Sequence, residues 1–471
     1  MTFDFLAKMW SELMHGSTSA QNEDDHIQRQ LPIEAVRRLL RRDAYPNLVR
    51  SLHKFHGSEC AAILQELTLN EQIKLIERLP DLQLVTTLFT FVGKDTRARL
   101  LPHLSTARLV DIIRLIPPDD ATDILGDMPP GRLQEMLDQL PEPIARDISK
   151  LLSYHPQSAG GIMTPNFFAL LDTTCVSEAM DTLRSAGQAE TVFYIYVVDA
   201  KQRLVGVVSL RQLVMAKPDA ILRGLMEIAV LSVNIEEDQE QIANLITQYD
   251  FLALPVVDHS QRLVGIVTVD DIIDVISEEA TEDMLRIAGV NPDEMLDVSS
   301  RRTIRHRLPW LFVSWLGGLM ASYIIESNQE AIQTMVVLAA YFPVIIGMGG
   351  NAATQSLAVA VRGLATGTVD PRFFGQALLK EGRIGLSLGA IYGLLLGTVV
   401  VIWQNLPLLG LVVGVAIWAS MTIAAVLGGL LPLIFARWRI DPAVASGPFL
   451  TTAIDVIGLV IYLGTAKMLL L

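Results

Sequence analysis

The stretch PFLTTAIDVIGLVIYL, residues 448–463, places one carboxylate, Asp455, inside an apolar segment long enough to cross a membrane. A carboxylate at membrane depth costs about 2.5 to 3.5 kcal/mol even on the most lenient insertion scale. Such a side chain is expected to face water, an ion or a polar partner. The stretch therefore predicts a membrane-spanning helix with a polar path along one side.

Four more apolar segments precede this one, and the whole region from 308 to 471 contains only 7 Lys and Arg and 6 Asp and Glu. Segments of this length and polarity are typical of membrane-spanning helices. The predicted spans are about 308–325, 332–361, 383–403, 408–435 and 445–470. The sequence thus predicts a five-helix transmembrane domain at 308–471.

Basic residues flank the spans unevenly. Ten of them fall on one side and only Lys467 falls on the other; the ten are Arg301, Arg302, Arg305, Arg307, Arg362, Arg372, Lys380, Arg383, Arg437 and Arg439. Because cytoplasmic loops carry the excess of Lys and Arg, the N-terminal part is expected in the cytoplasm and the C-terminus outside. The first residues lack the apolar core of a signal peptide, which agrees with this orientation.

The part before the membrane region is acidic, with 45 Asp and Glu against 30 Lys and Arg. Nucleic acid phosphates would be repelled by such a domain, whereas cations would be attracted. The two cysteines, Cys60 and Cys175, lie far apart without a neighbouring ligand motif, so neither a disulfide framework nor a thiolate metal site is expected. The sequence contains no nucleophile–base motif, and we expect no enzyme.

Two further regions precede the membrane part. Residues 1–25 are polar and aperiodic, and we predict a flexible lead-in. Residues 26–155 show helical spacing of apolar residues, repeatedly interrupted by proline, which predicts an α-superhelical N-domain of short helices.

An internal repeat follows. VVDAKQRLVGVVSLRQLV at 197–214 matches VVDHSQRLVGIVTVDDII at 256–273, with an offset of 59 positions. Each copy is typical of strand, turn, strand and helix, preceded by another helix. The pair resembles the cystathionine-β-synthase (CBS) domain pair, and we place it at 156–276, with units at about 164–217 and 228–276.

The segment after the repeat concentrates negative charge. Ten acidic residues lie between Asp270 and Asp297, against a single base, Arg286. We predict an acidic connecting helix at 277–307. Like charges at this density repel one another unless cations neutralise them.

The membrane region contains further polar positions. Thr451 and Thr452 lie one turn before Asp455. Pro343 and the stretch GMGGNAATQS (347–356) predict a weakened, broken second span, with Asn351 on its polar face.

Three alternatives stay open: the glycines serve close helix packing, Asp455 is a protonated partner of a neighbouring helix, and Asp441 is a solvated loop residue or a neighbour of Arg439. Oxygen ligands without thiols or clustered histidines suit a hard cation such as Mg²⁺.

Taken together, the domain order and four motifs resemble the MgtE family of magnesium channels. The motifs are YHPQSAGGIMT (154–164), GGNAATQS (349–356), VRGLATG (361–367) and TTAIDVIGLVIYL (451–463). The resemblance implies a homodimeric Mg²⁺ channel of the bacterial inner membrane. It places Asp455 at the selectivity site with a backbone carbonyl of Thr451, and Asp441 at the cytoplasmic side. One departure is Gly447, where family members often have Asn.

The resemblance also implies regulatory Mg²⁺ sites that close the pore when cytosolic Mg²⁺ is abundant. They map onto Asp271, Asp274, Glu279, Glu282 and Asp283 of the connecting helix, onto Asp238, Glu240 and Asp250 of the second CBS unit, and onto Asp119 and Asp123 of the N-domain. Taken singly, each acid is better explained as part of a solvated helix face, whereas the clustering of the set at a domain junction favours metal binding.

The second CBS unit also carries a nucleotide signature, Gly265, Thr268 and Asp271, which makes ATP an accessory ligand and leaves Asp271 open between nucleotide and metal. Two other functions stay open: a proton-coupled carrier in which Asp455 titrates, and a membrane-anchored nucleotide sensor.

Overall fold

The computed structural model describes residues 33–126, 128–185, 193–291, 294, 300–369, 374–438, 440–442 and 447–470. The predicted lead-in at 1–25 lies outside the described residues. The chain divides into two compact units, one formed by Met1–Ile116 and Asp127–Pro141, the other by Pro117–Gly126 and Glu142–Leu471.

The N-terminal region is built of short amphipathic helices. In order they are α1 (Ile33–Arg41), α2 (Tyr45–Leu52), α3 (Gly57–Gln65), α4 (Leu69–Arg78), α5 (Leu82–Phe91), α6 (Lys94–Leu100), α7 (Thr106–Ile113), α8 (Pro118–Gly126), α9 (Pro130–Gln139) and α10 (Glu142–Leu151). Capping fixes several starts: the Asp81 carboxylate accepts a hydrogen bond from the Leu84 amide, and Thr68 forms a capping box with Glu71. The predicted helical N-domain is confirmed.

The repeat folds as two copies of one α/β unit. The first sheet contains β1 (Ala169–Leu171), β2 (Tyr194–Val198) and β3 (Leu204–Ser209); the second contains β4 (Val233–Asn234), β5 (Ala253–Val257) and β6 (Leu263–Thr268). In both, the first pair is parallel and the second antiparallel, with a register shift at the same repeat position. Gln202 and Gln261, which are 59 positions apart, both adopt positive φ in the turn. The repeat therefore extends to backbone detail.

Five helices accompany these sheets: α11 (Ala159–Ile162), α12 (Val176–Ser185), α13 (Leu210–Met215), α14 (Gln239–Tyr249) and α15 (Val269–Ile287). The acidic helix α15 starts directly after β6, earlier than the predicted 277, because its first turn continues the second CBS unit. The helix ends at Ile287. Gly289, two residues later, adopts a left-handed φ of 71°, a conformation that favours glycine after a helix. Residues 288–291 are not helical and the next described helix is Ser300–Ser327, so the segment 277–307 is not one helix.

The C-terminal region contains five helices long and apolar enough to span a membrane within the described residues. They are α16 (Ser300–Ser327), α18 (Phe342–Ala365), α19 (Phe374–Gln404), α20 (Pro407–Arg437) and α21 (Gly447–Leu470), and the short α17 (Gln329–Thr334) and a 3₁₀ segment (Val336–Tyr341) lie between α16 and α18. The predicted number of spans is confirmed.

The prediction of a helix broken at the glycines of 347–356 was wrong. Helix α18 is continuous from Phe342 to Ala365, and the interruption lies before it, in the 3₁₀ segment. Pro343 occupies the first turn of α18, where the missing amide breaks no helical hydrogen bond. The glycines instead allow close packing, since a Cβ built on Gly349 would lie 2.9 Å from the Ile454 side chain and 3.0 Å from Ser420 Oγ.

Candidate functional site

The crossing of α18 and α21 lies beside the Asp455 carboxylate. A Cβ built on Gly350 of α18 would lie 3.9 Å from Oδ1 of Asp455, so a glycine leaves space next to this oxygen. Among the described residues, none donates a hydrogen bond to Asp455, which is half-buried in the single chain. Desolvation without a fixed partner is the state in which a carboxylate gains most from a cation.

The polar face of α18 continues from this crossing. Asn351, Thr354 and Gln355 are all exposed, while Ala352, Ala353, Ser356 and Leu357 form the buried face. The Thr354 hydroxyl donates to the carbonyl of Gly350, one turn earlier. An exposed polar stripe on a membrane helix requires water or a polar partner beside it. The predicted placement of Asn351 on this face agrees with the structure.

Thr451 lies one turn before Asp455 on α21. Its hydroxyl donates to the carbonyl of Gly447 at 3.0 Å, so the side chain is engaged within its own helix. The neighbouring Thr452 packs tightly against Gly317 of α16. Because a donating hydroxyl keeps its oxygen lone pairs, both the hydroxyl oxygen and the backbone carbonyl of Thr451 could face an ion.

Four of the predicted regulatory acids come together where α14 begins beside the middle of α15: Asp238, Glu240, Glu279 and Asp283. Gln239 Nε2 donates to Glu279 Oε1 at 2.5 Å and links the two helices. Glu240 is exposed by area, yet the protein around its carboxylate raises its pKa to about 7, through burial first and then through Glu279, Asp283 and Asp238. We call these four residues the α14–α15 acid cluster.

Asp283, on α15, also has a raised pKa. Burial raises its pKa to about 6, and the charges of Glu279 and Glu282 add to this, while Arg286 and Arg362 act in the opposite direction. Across the described ranges, no three His, Cys, Asp or Glu side chains are close enough to hold one metal ion directly. The cluster fits a hydrated Mg²⁺ held through water better than a preformed inner-sphere site.

The structure does not bring the remaining acids into this cluster. Asp250 ends α14 in a left-handed conformation, about 15 Å along the helix from Glu240. Asp274 is exposed, and it lies with Asp271 near the start of α15. Asp119 is half-buried and Asp123 exposed on α8.

The nucleotide signature is also partly engaged. Thr268 Oγ1 donates to Asp271 Oδ2 at 2.6 Å, so the two polar residues of the signature are paired with each other. A Cβ on Gly265 would lie 2.6 Å from Met163 Sδ, so this glycine serves close packing of the segment before β1.

Arg286 is a functional candidate that the sequence reasoning did not assign. Its guanidinium lies between two predicted metal ligands, with one nitrogen paired to Glu282 and the other to Asp441. In the sequence, Arg286 is the one base within a strongly acidic segment, and this position could have indicated that it pairs with carboxylates. The predicted alternative for Asp441, pairing with Arg439, falls on a residue outside the described set.

Glu381 is a second residue that was missed. It lies on α19, is 8% exposed, and accepts a hydrogen bond of 2.7 Å from the Ser356 hydroxyl of α18. Gly429 of α20 packs against its Cγ. The predicted span begins at Arg383, two residues later, which leaves Glu381 in the preceding loop.

Three family models match the chain. Residues 342–465 match "MgtE: Divalent cation transporter", residues 55–157 match "MgtE intracellular N domain", and residues 159–219 and 222–278 match the CBS domain. The matched ranges cover the helical N-domain from α3 onward, both α/β units and the helices that carry Asp455 and Asn351.

Relatives with these domains are known. The magnesium transporter MgtE of Enterococcus faecalis is 42% identical over 326 residues, covering 69% of this chain and 72% of that protein. The magnesium transporter MgtE of Thermus thermophilus is 39% identical over 355 residues, covering 74% and 78%. The solved cytosolic domain of the Mg²⁺ channel MgtE in complex with ATP covers 52% of this chain and 99% of that structure, with a TM-score of 0.49 and 34% identity.

Proposed function

The chain belongs to the MgtE family of divalent cation transporters, and from this premise we propose that it is a homodimeric Mg²⁺ channel of the bacterial inner membrane, closed by cytosolic Mg²⁺. Its relatives are magnesium transporters and its C-terminal helices are membrane-spanning in length and composition. It is a membrane protein that transports Mg²⁺, and we assign it no enzymatic step.

The observation that carries the pore proposal is the Asp455 carboxylate beside Gly350, next to the exposed polar face of α18. Two copies of this face, brought together across a two-fold axis, would enclose a water-filled path with two carboxylates. Mg²⁺ dehydrates reluctantly and is held by one or two carboxylates while it keeps several waters. Asn351 and the Thr451 carbonyl would supply further oxygens along the same path.

The gating proposal rests on the α14–α15 acid cluster. When cytosolic Mg²⁺ is scarce, repulsion among its carboxylates favours separation of α14 from α15. When Mg²⁺ is abundant, ions between them remove the repulsion and favour the closed arrangement. Each ion must therefore bind the closed state more tightly than the open state. Asp250, Asp271 and Asp274, with Asp119 and Asp123 of α8, would add weaker sites.

The pore proposal is tested by Mg²⁺ flux into proteoliposomes that contain the full chain. Asp455→Ala is expected to abolish most of the flux, and Asp455→Asn to reduce it strongly, because both remove the charge. Glu330→Gln, a change at an exposed acid before the 3₁₀ segment, serves as the matched control and should retain flux. Flux equal to wild type in Asp455→Ala would exclude this residue from the pore.

The gating proposal is tested in the same vesicles with Mg²⁺ varied on the side of the cytosolic domains. The double variant Glu279→Gln/Asp283→Asn is expected to show weaker dependence on that Mg²⁺, because the repulsion is already relieved. Glu236→Gln, an exposed acid just before α14, is the control. Identical inhibition curves for wild type and the double variant would contradict the proposal.

ATP is kept as an accessory ligand of the second CBS unit in this proposal. Thr268 and Asp271 lie at the end of β6 and the start of α15, where a phosphate and a ribose could replace their mutual hydrogen bond. Binding of ATP to the full chain, weakened by Thr268→Ala, is the expected result.

A further inference from the structure

The end of the acidic helix contacts the start of the last membrane helix. Gly289, just after α15, packs on Pro448 of α21: a Cβ at Gly289 would lie 2.9 Å from Pro448 Cγ. A Cβ at Gly447 would collide with the carbonyl oxygen of Ile287. The glycine at 447 therefore permits a direct backbone approach between α15 and the helix that carries Asp455.

Arg286 lies in the same contact and joins the two parts by charge. One of its nitrogens pairs with Glu282, four residues earlier on α15, and another with Asp441, six residues before α21. All three side chains are at most one-third exposed, so their attraction is screened less than that of a surface pair. Arg286 therefore joins a carboxylate of α15 to one that precedes α21.

Arg286 also acts on the neighbouring acid cluster. Its charge lowers the pKa of Asp283, which burial and Glu279 otherwise raise, and Arg362 near the end of α18 acts in the same direction. The cytoplasmic ends of α18 and α21 thus both present groups to the last turns of α15.

We propose that Arg286 is a built-in cation of the gate, which takes the position between Glu282 and Asp441 that a divalent ion would otherwise fill. The contact it makes holds α15 on the start of α21 without metal. Mg²⁺ sensing is then left to the α14–α15 acid cluster, and Glu282 and Asp441 no longer count among the metal ligands. This inference rests on the proposed gating by cytosolic Mg²⁺ and assigns a positioning residue to it.

The test measures the Mg²⁺ concentration that gives half-inhibition of flux in proteoliposomes, with each variant normalised to its own maximal flux. Arg286→Gln is expected to raise this concentration about fivefold or more, because the closed state loses its metal-free contact. Arg286→Lys keeps the charge but offers one ammonium in place of two guanidinium nitrogens, so it should shift the curve less than Arg286→Gln does. Arg305→Gln, an exposed arginine of α16, is the matched control and should not shift the curve.

The decisive variant exchanges the charges. Asp441→Arg alone places two cations in contact and should shift the curve as Arg286→Gln does. The double variant Arg286→Glu/Asp441→Arg restores opposite charges and should return the half-inhibition value to within about twofold of wild type. Gly447→Ala, which blocks the backbone approach without altering charge, should shift the curve in the same direction as Arg286→Gln.

The outcomes separate this inference from the gating proposal. Suppose that wild type is inhibited by Mg²⁺. If Arg286→Gln then has the same half-inhibition value, or if the charge exchange does not restore the wild-type value, Arg286 is not a cation of the gate. The gating proposal still stands in that case. If wild type is not inhibited by Mg²⁺ at all, both are overturned. If Arg286→Gln fails to fold, the charge exchange and Gly447→Ala decide.

Discussion

Glu240 and Asp283 are two carboxylates of the α14–α15 acid cluster whose protonation the structure shifts toward neutral pH. Burial and the neighbouring acids raise the pKa of Glu240 to about 7 and of Asp283 to about 6. A carboxylate with a raised pKa binds a proton more tightly in the folded state, so its charge adds repulsion as pH rises through that value. Protons and Mg²⁺ therefore compete for the same cluster.

This competition predicts the pH dependence of inhibition. Flux at low Mg²⁺ and its further inhibition by added Mg²⁺ should both decrease as the cytosolic-side pH falls from about 8 to about 6, because protonated Glu240 and Asp283 neither repel their neighbours nor attract the ion. The measurement is a set of flux inhibition curves at fixed pH values. The double variant Glu240→Gln/Asp283→Asn should show a flatter dependence, and a pH-independent wild type would contradict this assignment.

Glu381 gives a second prediction, for stability. Glu381→Ala leaves the buried Ser356 hydroxyl without its acceptor and opens a gap against Gly429, which should lower the free energy of unfolding by about 2 kcal/mol. Glu381→Gln keeps an oxygen acceptor and should lose about 1 kcal/mol or less. Denaturation of the detergent-solubilised protein compares the two. Equal stability of Glu381→Ala and wild type would mean that the hydrogen bond contributes nothing.

The sequence allows a functional side chain to be predicted when the residues that form its surroundings lie in the same segment. It does not allow this when the contact partners of the side chain lie far away in the chain. Asp455 was identifiable because the apolar residues around it lie in the same segment. The pairing of Arg286 with Asp441 joins positions 155 residues apart, and no periodicity encodes such a contact. The same holds for Glu381 and Ser356, which meet only once α18 and α19 pack together.

Helices α19 and α20 pack through glycines. Gly385, Gly389, Gly393 and Gly397 recur every fourth residue on α19 and are all buried. A Cβ at Gly393 would lie 2.5 Å from the carbonyl oxygen of Gly414 on α20. Without a hydrophobic driving force between helices in lipid, such close backbone packing is a main source of association.

Gly393→Leu is accordingly expected to separate this helix pair and to reduce sharply the yield of monodisperse protein in detergent. Gly464→Leu is the matched control, since a Cβ at Gly464 meets nothing within 4 Å and the change has the same effect on helix propensity. Size-exclusion chromatography of both variants is the measurement. If both behave alike, the glycine contact is not needed for folding.

Hydropathy gave the number of membrane helices but not their ends. Helices α16, α19 and α20 extend beyond their predicted spans at both ends, because polar and charged turns such as 300–307 continue the helix outside the apolar part. Helix α18 begins ten residues after the predicted start of its span, and α21 lies within its predicted span. The interruption of the second span was assigned to its glycines, whereas packing holds those glycines in a regular helix. Propensity rules derived from water-exposed helices fail where neighbouring helices fill the space.

Across the whole molecule, negative charge and apolar surface are divided between separate parts of the chain. The 308–471 region carries almost no net charge, while the preceding part has 15 more acidic than basic residues. Both parts contain carboxylates that we propose bind a cation: Asp455 beside α18, and the α14–α15 acid cluster. The contact of α15 with the start of α21 joins the two parts.

Electrical recording is the sharpest test of whether Mg²⁺ crosses through a pore that cytosolic Mg²⁺ closes. The purified protein in a planar bilayer, with Mg²⁺ as the permeant cation and equal pH on both sides, should carry a Mg²⁺ current. That current should fall as Mg²⁺ is added on the side of the cytosolic domains, and Asp455→Ala should remove it. Mg²⁺ transport that requires a proton gradient and carries no such current would contradict the account and favour a proton-coupled carrier.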